Sequence, residues 1–455
     1  MIAITAVKSG KEQIGPGALA GISLAQFILA LDYSIVYLAL PSMAKDLGLD
    51  TALSQWIVSA YGLMFGGFLL LGGRLCDRFG AYGTFAAAVC LFSAASLLGG
   101  LAGNGAWLIL ARGAQGIGAA ALQPALLSMI AAHFPSGPSR AKALSIWGAV
   151  GALGLVAGVL LGGVFTLFSW RLVFFINFPI GMLCLWLLKR KMMPGTAPRH
   201  RAPIPVLAAL SGTLAMMSVV LWLTSLAQAG LDDIHTHAWA GAAVVGSLIF
   251  FAGEKLGPRP LVARALRRLP GLRTGCWTSA CYMASAGAEF FLLTLLLQNV
   301  YGYGALRAGL CFLPMAALIV IGNVLAGKLM GKMTAERVLF GGFALAAFGL
   351  WLLALSLAGG AFRWRFAVGL LLSGLGHGII YAANFAAGLK ELPEDRQGTG
   401  SGLLVTAQYV GGAIALSLLV ILLGYYPGET GYYYSFTLLA FFALSGAAAA
   451  LAAEN

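Results

Sequence analysis

Residues 17–41 read GALAGISLAQFILALDYSIVYLALP and carry a single charged side chain, Asp32. As an α-helix rising 1.5 Å per residue, this run is about 37 Å long, more than the ~30 Å hydrocarbon core of a bilayer. A helix so long and without a charged face has lipid as its solvent. The rest of the chain obeys the same rule. Of 455 residues, 60% are hydrophobic and 9% charged, with a mean hydropathy of +0.90, whereas an average soluble domain carries roughly 25% charged residues. That composition excludes an ordinary soluble enzyme, a disordered chain and a secreted disulfide scaffold. The 62 glycines suit helices that approach closely in lipid.

Further apolar runs fall at 53–72, 83–103, 106–132, 143–167, 172–188, 203–229 and 238–253, then at 274–298, 308–330, 337–358, 366–389, 397–424 and 432–452. With 17–41 they predict an all-α integral membrane protein of fourteen spans; the runs at 172–188 and 238–253 are the shortest. The first run lacks a small-residue cleavage site, so it reads as an uncleaved span and not a signal peptide. The cysteines Cys76, Cys90, Cys184, Cys276, Cys281 and Cys311 lie in or beside apolar runs with no CxxC pair, as small hydrophobes do.

Charge sets the orientation. Of 28 Lys and Arg, the loops on one side hold only Lys45, Arg171, Arg307, Arg363 and Arg365, Arg112 falls within a span, and the remaining 22 lie on the other side. Basic loops stay in the cytoplasm, which puts both termini there. The net charge of +13 is thereby a retention signal and implies no nucleic-acid partner. Basic segments at about 189–202 and 254–273 divide the chain into six spans (1–190), two additional spans with their flanks (191–272) and six spans (273–455). The halves echo each other: Gly73-Arg74-Leu75-Cys76-Asp77-Arg78 follows span two, and Gly327-Lys328-Leu329-Met330-Gly331-Lys332 follows span ten. A repeated bundle with its site between the halves is a common transporter plan.

Two acidic residues remain within spans, Asp32 and Glu289, with Arg112 the one buried Lys or Arg and His377 mid-span. A charge at the bilayer centre costs at least about 2.5–3.5 kcal/mol, so such residues pair or face an aqueous path. Asp32 stands nine positions before Pro41 and Glu289 nine before Gln298, near-equivalent depths that suggest a shared central cavity. Arg112 enters span four at a depth that matches Asp32, and a pair between them keeps Asp32 ionised. Glu289 has no basic residue nearby in its own span, which makes it the better proton carrier.

Other candidates carry less chemistry. Trp56, Tyr61, Gln115, His377, Tyr381 and Asn384 are candidates to line a cavity. Gly154, Gly158 and Gly162 form a small-xxx-small face for helix packing. The segment Asp232-Asp233-Ile234-His235-Thr236-His237 reads as a solvated turn and not a metal site. No GxxxxGK[ST] motif is present, so no nucleotide cofactor is implied, and any pumping draws on an ion gradient or a partner.

At this point several motifs together resemble the major facilitator superfamily, and within it the fourteen-span drug:proton antiporters. Leu31-Asp32-Tyr33-Ser34-Ile35-Val36-Tyr37-Leu38-Ala39-Leu40-Pro41 looks like that group's first-span signature, and Gly73–Gly80 is similar to the loop 2–3 motif. Leu110-Ala111-Arg112-Gly113-Ala114-Gln115-Gly116 resembles the fourth-span motif, and Trp170-Arg171 with Phe174-Phe175-Ile176-Asn177-Phe178-Pro179-Ile180-Gly181 is the most group-specific match. Gln298-Asn299-Val300-Tyr301-Gly302-Tyr303 and Gly398-Thr399-Gly400-Ser401-Gly402-Leu403 extend the likeness through the second half. The chain departs from the pattern where Ala81-Tyr82-Gly83 replace the usual basic residues and where Val159 replaces the usual Pro after Gly158.

The resemblance implies two six-helix bundles plus two extra helices, with alternating access to a central site. It implies a cytoplasmic latch made by Gly73, Arg74, Asp77 and Arg78, and a role for Arg112 in proton coupling. It also implies a proton-coupled exporter of small lipophilic, often cationic compounds in a bacterial plasma membrane, with no enzymatic activity. Nothing in the sequence calls for a periplasmic adaptor. Two alternatives stay open: a carrier of one metabolite or anion, by uptake in one version, and a non-transporting receptor on the same scaffold.

Overall fold

A computed structural model describes residues 16–49, 51–135, 137–189, 206–230, 232–256, 260, 262, 264–303, 305–357, 362–393 and 396–454. The first half holds α1 (Pro16–Leu47), α2 (Thr51–Phe79), α3 (Ala81–Gly100), α4 (Gly105–His133), α5 (Pro138–Phe168), α6 (Leu172–Phe175) and α7 (Asn177–Lys189). The hairpin α8 (Val206–Ala229) and α9 (Ile234–Leu256) follows. The second half holds α10 (Pro270–Leu295), α11 (Ala305–Leu329), α12 (Ala335–Ser356), α13 (Phe362–Gly388), α14 (Gln397–Tyr425) and α15 (Glu429–Ala452). Starts are chemically marked: proline opens α5 and α10, where its missing N–H is harmless, and Asn104 and Thr334 cap α4 and α12. Most of the basic segment expected at 189–202 lies outside the described residues.

The halves repeat one packing plan. In the first, α1 packs on α5 and α7, and α4 on α2 and α3; in the second, α10 packs on α14 and α15, and α13 on α11 and α12. The widest of these contacts in the first half uses the predicted glycine face. A Cβ on Gly154 would meet Phe27 O at 2.6 Å, and one on Gly158 would meet Leu31 O at 2.6 Å, so α5 lies directly on the α1 backbone. Gly162 is buried in the same helix.

Among the described residues, twelve helices are long and apolar enough to cross a bilayer, while the apolar stretches Leu172–Leu188 and Leu210–Leu223 are shorter. The expected fourteen full spans are not reached on that measure. The first of these stretches spans α6 and α7, which part at Ile176, and the second lies within the 24-residue α8. The run expected at 238–253, by contrast, sits in a 23-residue helix whose polar ends the hydropathy reading left out. The α6–α7 segment lies along α1 in antiparallel register. Trp170 and Arg171 donate to Asp46 at 3.0 and 2.8 Å, Asn177 reaches Asp32, and Leu188 packs against Gly21. Trp170 and Arg171 hold the Asp46 carboxyl below its usual range, so this clasp persists at neutral pH and is lost only as pH falls through that lowered value.

The halves meet along two seams, α2 on α14 and α5 on α11. The sequence echo explains both. A Cβ on Gly73 would meet Thr399 Cα of α14 at 3.2 Å, and one on Gly327 would meet Ser145 Cβ of α5 at 2.8 Å. The motif at 73–78 is thus not a loop but the last turns of α2, which runs to Phe79; Gly80 alone, at φ 84°, makes the turn, a conformation that suits glycine. Asp77 crosses the seam and accepts from Gly398 N at 2.9 Å, Thr399 N at 3.1 Å and the Thr399 hydroxyl. It thereby caps the exposed donors at the start of α14. Arg74 lies in the field of Asp77, Glu254 and Arg396, whereas Arg78 stacks on its own neighbour Phe79, so only part of the expected latch crosses between halves. Position 331, which corresponds to Asp77, is glycine, and the second seam has no such latch.

The described residues after α9 are fastened to the bundle. Glu254 accepts from Val262 N at 3.0 Å and Arg267 Nη2 at 2.8 Å, and Val262 and Leu266 enter the core with Leu69, Cys76 and Leu404. This end of the bundle is closed. Gly73→Leu should hold the α2–α14 seam apart. The expected outcome is about fivefold faster reaction of the buried native thiol Cys76 with a water-soluble maleimide, read by mass spectrometry of the labelled peptide in full-length protein.

Candidate substrate cavity and buried charges

Asp32 has no exposed surface, and Arg112 is 2% exposed. The guanidinium Nη1 donates to Asp32 Oδ2 at 2.6 Å, while Gln115 Nε2 and Asn177 Nδ2 donate to Oδ1 at 3.1 and 2.7 Å. Arg112 is fixed in turn by Gln115 Oε1 at 2.9 Å, by the Ile57 carbonyl at 3.2 Å and by the Tyr61 ring, 4.3 Å below its guanidinium carbon. Asn177 also donates to Ser96 Oγ at 3.0 Å, and Ser96 donates to Phe174 O. The expected pair is therefore present and sits in a network that joins α1, α2, α3, α4 and α7. Asn177 and Ser96 were not among the sequence candidates; the signal for Asn177 was its place in the Trp170–Gly181 motif, at the break that ends α6.

Glu289 is equally buried. Ser373 Oγ of α13 donates to its Oε1 at 2.6 Å, and His377 Nδ1 of α13 lies 3.2 Å from Oε2 without hydrogen-bond alignment. The far ring nitrogen of His377 lies 3.3 Å from Ser285 Oγ, with the Tyr282 ring edge-on. Glu289 has no basic residue nearby in its own span, as the sequence reads; its basic neighbour is His377, on another helix. In the repeat, α10 and α13 correspond to α1 and α4, so each half sets a carboxylate on its first helix against a basic side chain on its fourth.

A cavity of about 510 Å³ lies between the halves, within the range of drug-sized sites. Tyr33, Tyr37, Trp56, Tyr61 and Arg112 line one part, Met283, Gly287 and Tyr409 another, and residues of α8 and α9 a third. Trp56 and Tyr61 thus stand where expected. Gln115, His377, Tyr381 and Asn384 do not line this cavity, because their helix rotation turns them into helix contacts. Tyr381 stacks on Trp147 at 5.3 Å across the α5–α13 contact and receives Gln26 Nε2 at 3.5 Å. Asn384 bonds Thr278 and Ser279 of α10, both at 2.6 Å. Neither carboxylate lines the cavity: Asp32 stands behind Arg112, and Glu289 faces α13. The charge on the wall is Arg112.

Breaking a buried ion pair from one side leaves an uncompensated charge, at about 3–5 kcal/mol. Asp32→Asn should destabilise the protein by that order in thermal unfolding in nanodiscs. The double variant Asp32→Asn with Arg112→Gln should recover most of the loss.

The profile of the Major Facilitator Superfamily matches residues 22–416. The chain is 35% identical over 432 residues to the cephamycin export protein CmcT of Amycolatopsis lactamdurans, covering 92% of this chain and 87% of that protein. It is 32% identical to the puromycin resistance protein pur8 of Streptomyces alboniger, over 87% and 79% of the two chains. Among solved structures, the proton:xylose symporter XylE superposes with a TM-score of 0.68 at 15% identity, over 95% of this chain and 94% of that one, which bears on fold alone. A sequence profile that spans most of the chain, on a duplicated helical bundle with a cavity between its halves, makes this chain a member of the major facilitator superfamily.

Proposed function

We propose that the protein exports small lipophilic drug-like compounds across a bacterial plasma membrane in exchange for protons. The observation that carries the reading is the cavity between the halves, walled by aromatic rings and by the Arg112 guanidinium, with the α2–α14 end of the bundle closed. Relatives whose names state cephamycin export and puromycin resistance support the cargo class and the outward direction.

Chemistry divides the labour. Arg112 pairs with Asp32 and presents its guanidinium to the cavity. Glu289, with Oε2 uncommitted beside His377, is the proton carrier. Gly287 lines the cavity two residues before it, so cargo and proton act on one helix, α10. Protonation of Glu289 changes how α10 sits on α13, and that shifts the cavity wall. One proton moved through about 150 mV supplies about 3.5 kcal/mol, enough for a gradient of a few hundred-fold in a neutral cargo. The division into 1–190, 191–272 and 273–455 follows from the repeat, and the register of α6–α7 along α1 supports a full crossing there and fourteen in all. The basic loops place both termini in the cytoplasm.

The cationic preference expected from the carboxylates loses its geometric basis, since neither faces the cavity. Arg112 on the wall favours a second reading, in which the cargo is neutral or carries an acidic group.

Purified protein in proteoliposomes with an imposed pH gradient tests both. Ethidium, a neutral dye and a fluorescein carboxylate serve as cargo. Native protein should accumulate at least one of them, and Glu289→Gln should lose about tenfold or more of the gradient-driven component while retaining cargo binding. Undiminished gradient-driven transport in that variant removes Glu289 from the mechanism. Accumulation of the carboxylate alone selects the second reading.

A further inference from the structure

The α8–α9 hairpin lies outside the six-helix repeat, yet it is built into the cavity. Helix α8 packs on both α2 and α14, the pair that forms the latched seam, and α9 packs on α8. The contacts are close: a Cβ on Gly67 of α2 would meet Met217 Cγ at 2.6 Å, and Ser417 Oγ of α14 donates to Leu223 O at 3.0 Å. Held to one helix of each half, α8 covers the place where the halves part.

One turn further along α8, Val220, Leu221 and Ser225 line the cavity, and Trp239 of α9 joins them. The hairpin is fastened at this end. Ser225 Oγ and Thr236 Oγ1 are 2.8 Å apart, and Asp233 caps α9 by accepting from Thr236 N at 3.0 Å. Trp239 follows Thr236 by three residues and so shares its face of the helix. Trp239 is 38% exposed and lines the cavity, so part of its aromatic surface is open to a bound molecule.

We propose that the α8–α9 hairpin is a substrate-contacting wall, in which Trp239 stacks on a flat aromatic part of the cargo and Ser225, Val220 and Leu221 select what lies beside it. The six-helix halves supply the charge, through Arg112, and the hairpin supplies shape selection. This rests on the cavity as the cargo site, and not on proton coupling.

The test uses full-length protein in lipid nanodiscs with the native cysteines retained and labelled peptides resolved by mass spectrometry. Ser225→Cys and Trp239→Cys should react with a charged, water-soluble maleimide within about threefold of Trp56→Cys, and at least about tenfold faster than Val245→Cys, whose side chain lies on the lipid-facing side of α9. Planar pyrenecarboxylate and non-planar triphenylacetate then carry the same charge but different shape. Trp239→Ala should weaken pyrenecarboxylate binding about fivefold more than triphenylacetate binding, with Trp239→Phe restoring the ratio. Labelling of both cysteines at the Val245→Cys rate overturns the proposal, whatever the outcome of the transport assay. So does an unchanged ratio of dissociation constants in a folded Trp239→Ala protein.

Discussion

A carboxylate with no exposed surface in a chain solvated by hydrocarbon must be neutralised and hydrogen-bonded where it stands, and Asp32 is held to that condition. Its two oxygens take donors from Arg112, Gln115 and Asn177, so α1, α4 and α7 have one relative placement in which the charge is satisfied. The remaining donors of Arg112 reach the α2 backbone and the Tyr61 ring. The same bonds that neutralise Asp32 therefore fix the guanidinium on the cavity wall. The site is a consequence of how the first half pays for one buried charge.

The second half uses the same framework with different chemistry. Where α4 offers an arginine, α13 offers His377, and where Asp32 has three donors, Glu289 has Ser373 and an unaligned imidazole. A guanidinium holds its charge at any physiological pH, whereas imidazole is a side chain that gains and loses one. Duplication thus sets a guanidinium against one carboxylate and an imidazole against the other. The same divergence marks the seams, since Asp77 latches α2 to α14 and Gly331 leaves α11 without a counterpart.

Much of this was legible in the sequence, and the limits are physical. Asp32 and Arg112 could be paired because lipid permits few charges and their depths match. The Gly154-Gly158-Gly162 face was legible because small residues at helical spacing mean close backbone approach. Helix rotation was not legible: Tyr381 and Asn384 look like cavity residues, but they face other helices. His377 was set apart from Glu289 because neighbours were sought along one span and the partner lies on α13. The 73–78 motif looked like a loop because charges were taken to end a helix, whereas α2 continues beyond the apolar core. The hairpin gave no signal, since its lining residues are uncharged.

The unequal seams bear on how the bundle opens. On the other side, α5 is joined to α11 by glycine contact and to α13 by the Trp147–Tyr381 stack, which can slide. The α2–α14 side is joined by three hydrogen bonds to one carboxylate, and those must break outright. At about 1.5–3 kcal/mol for a hydrogen bond to a charged group, they sum to roughly 4.5–9 kcal/mol. With Gly331 where a second carboxylate would stand, the resistance to parting at this end is concentrated on the α2–α14 seam.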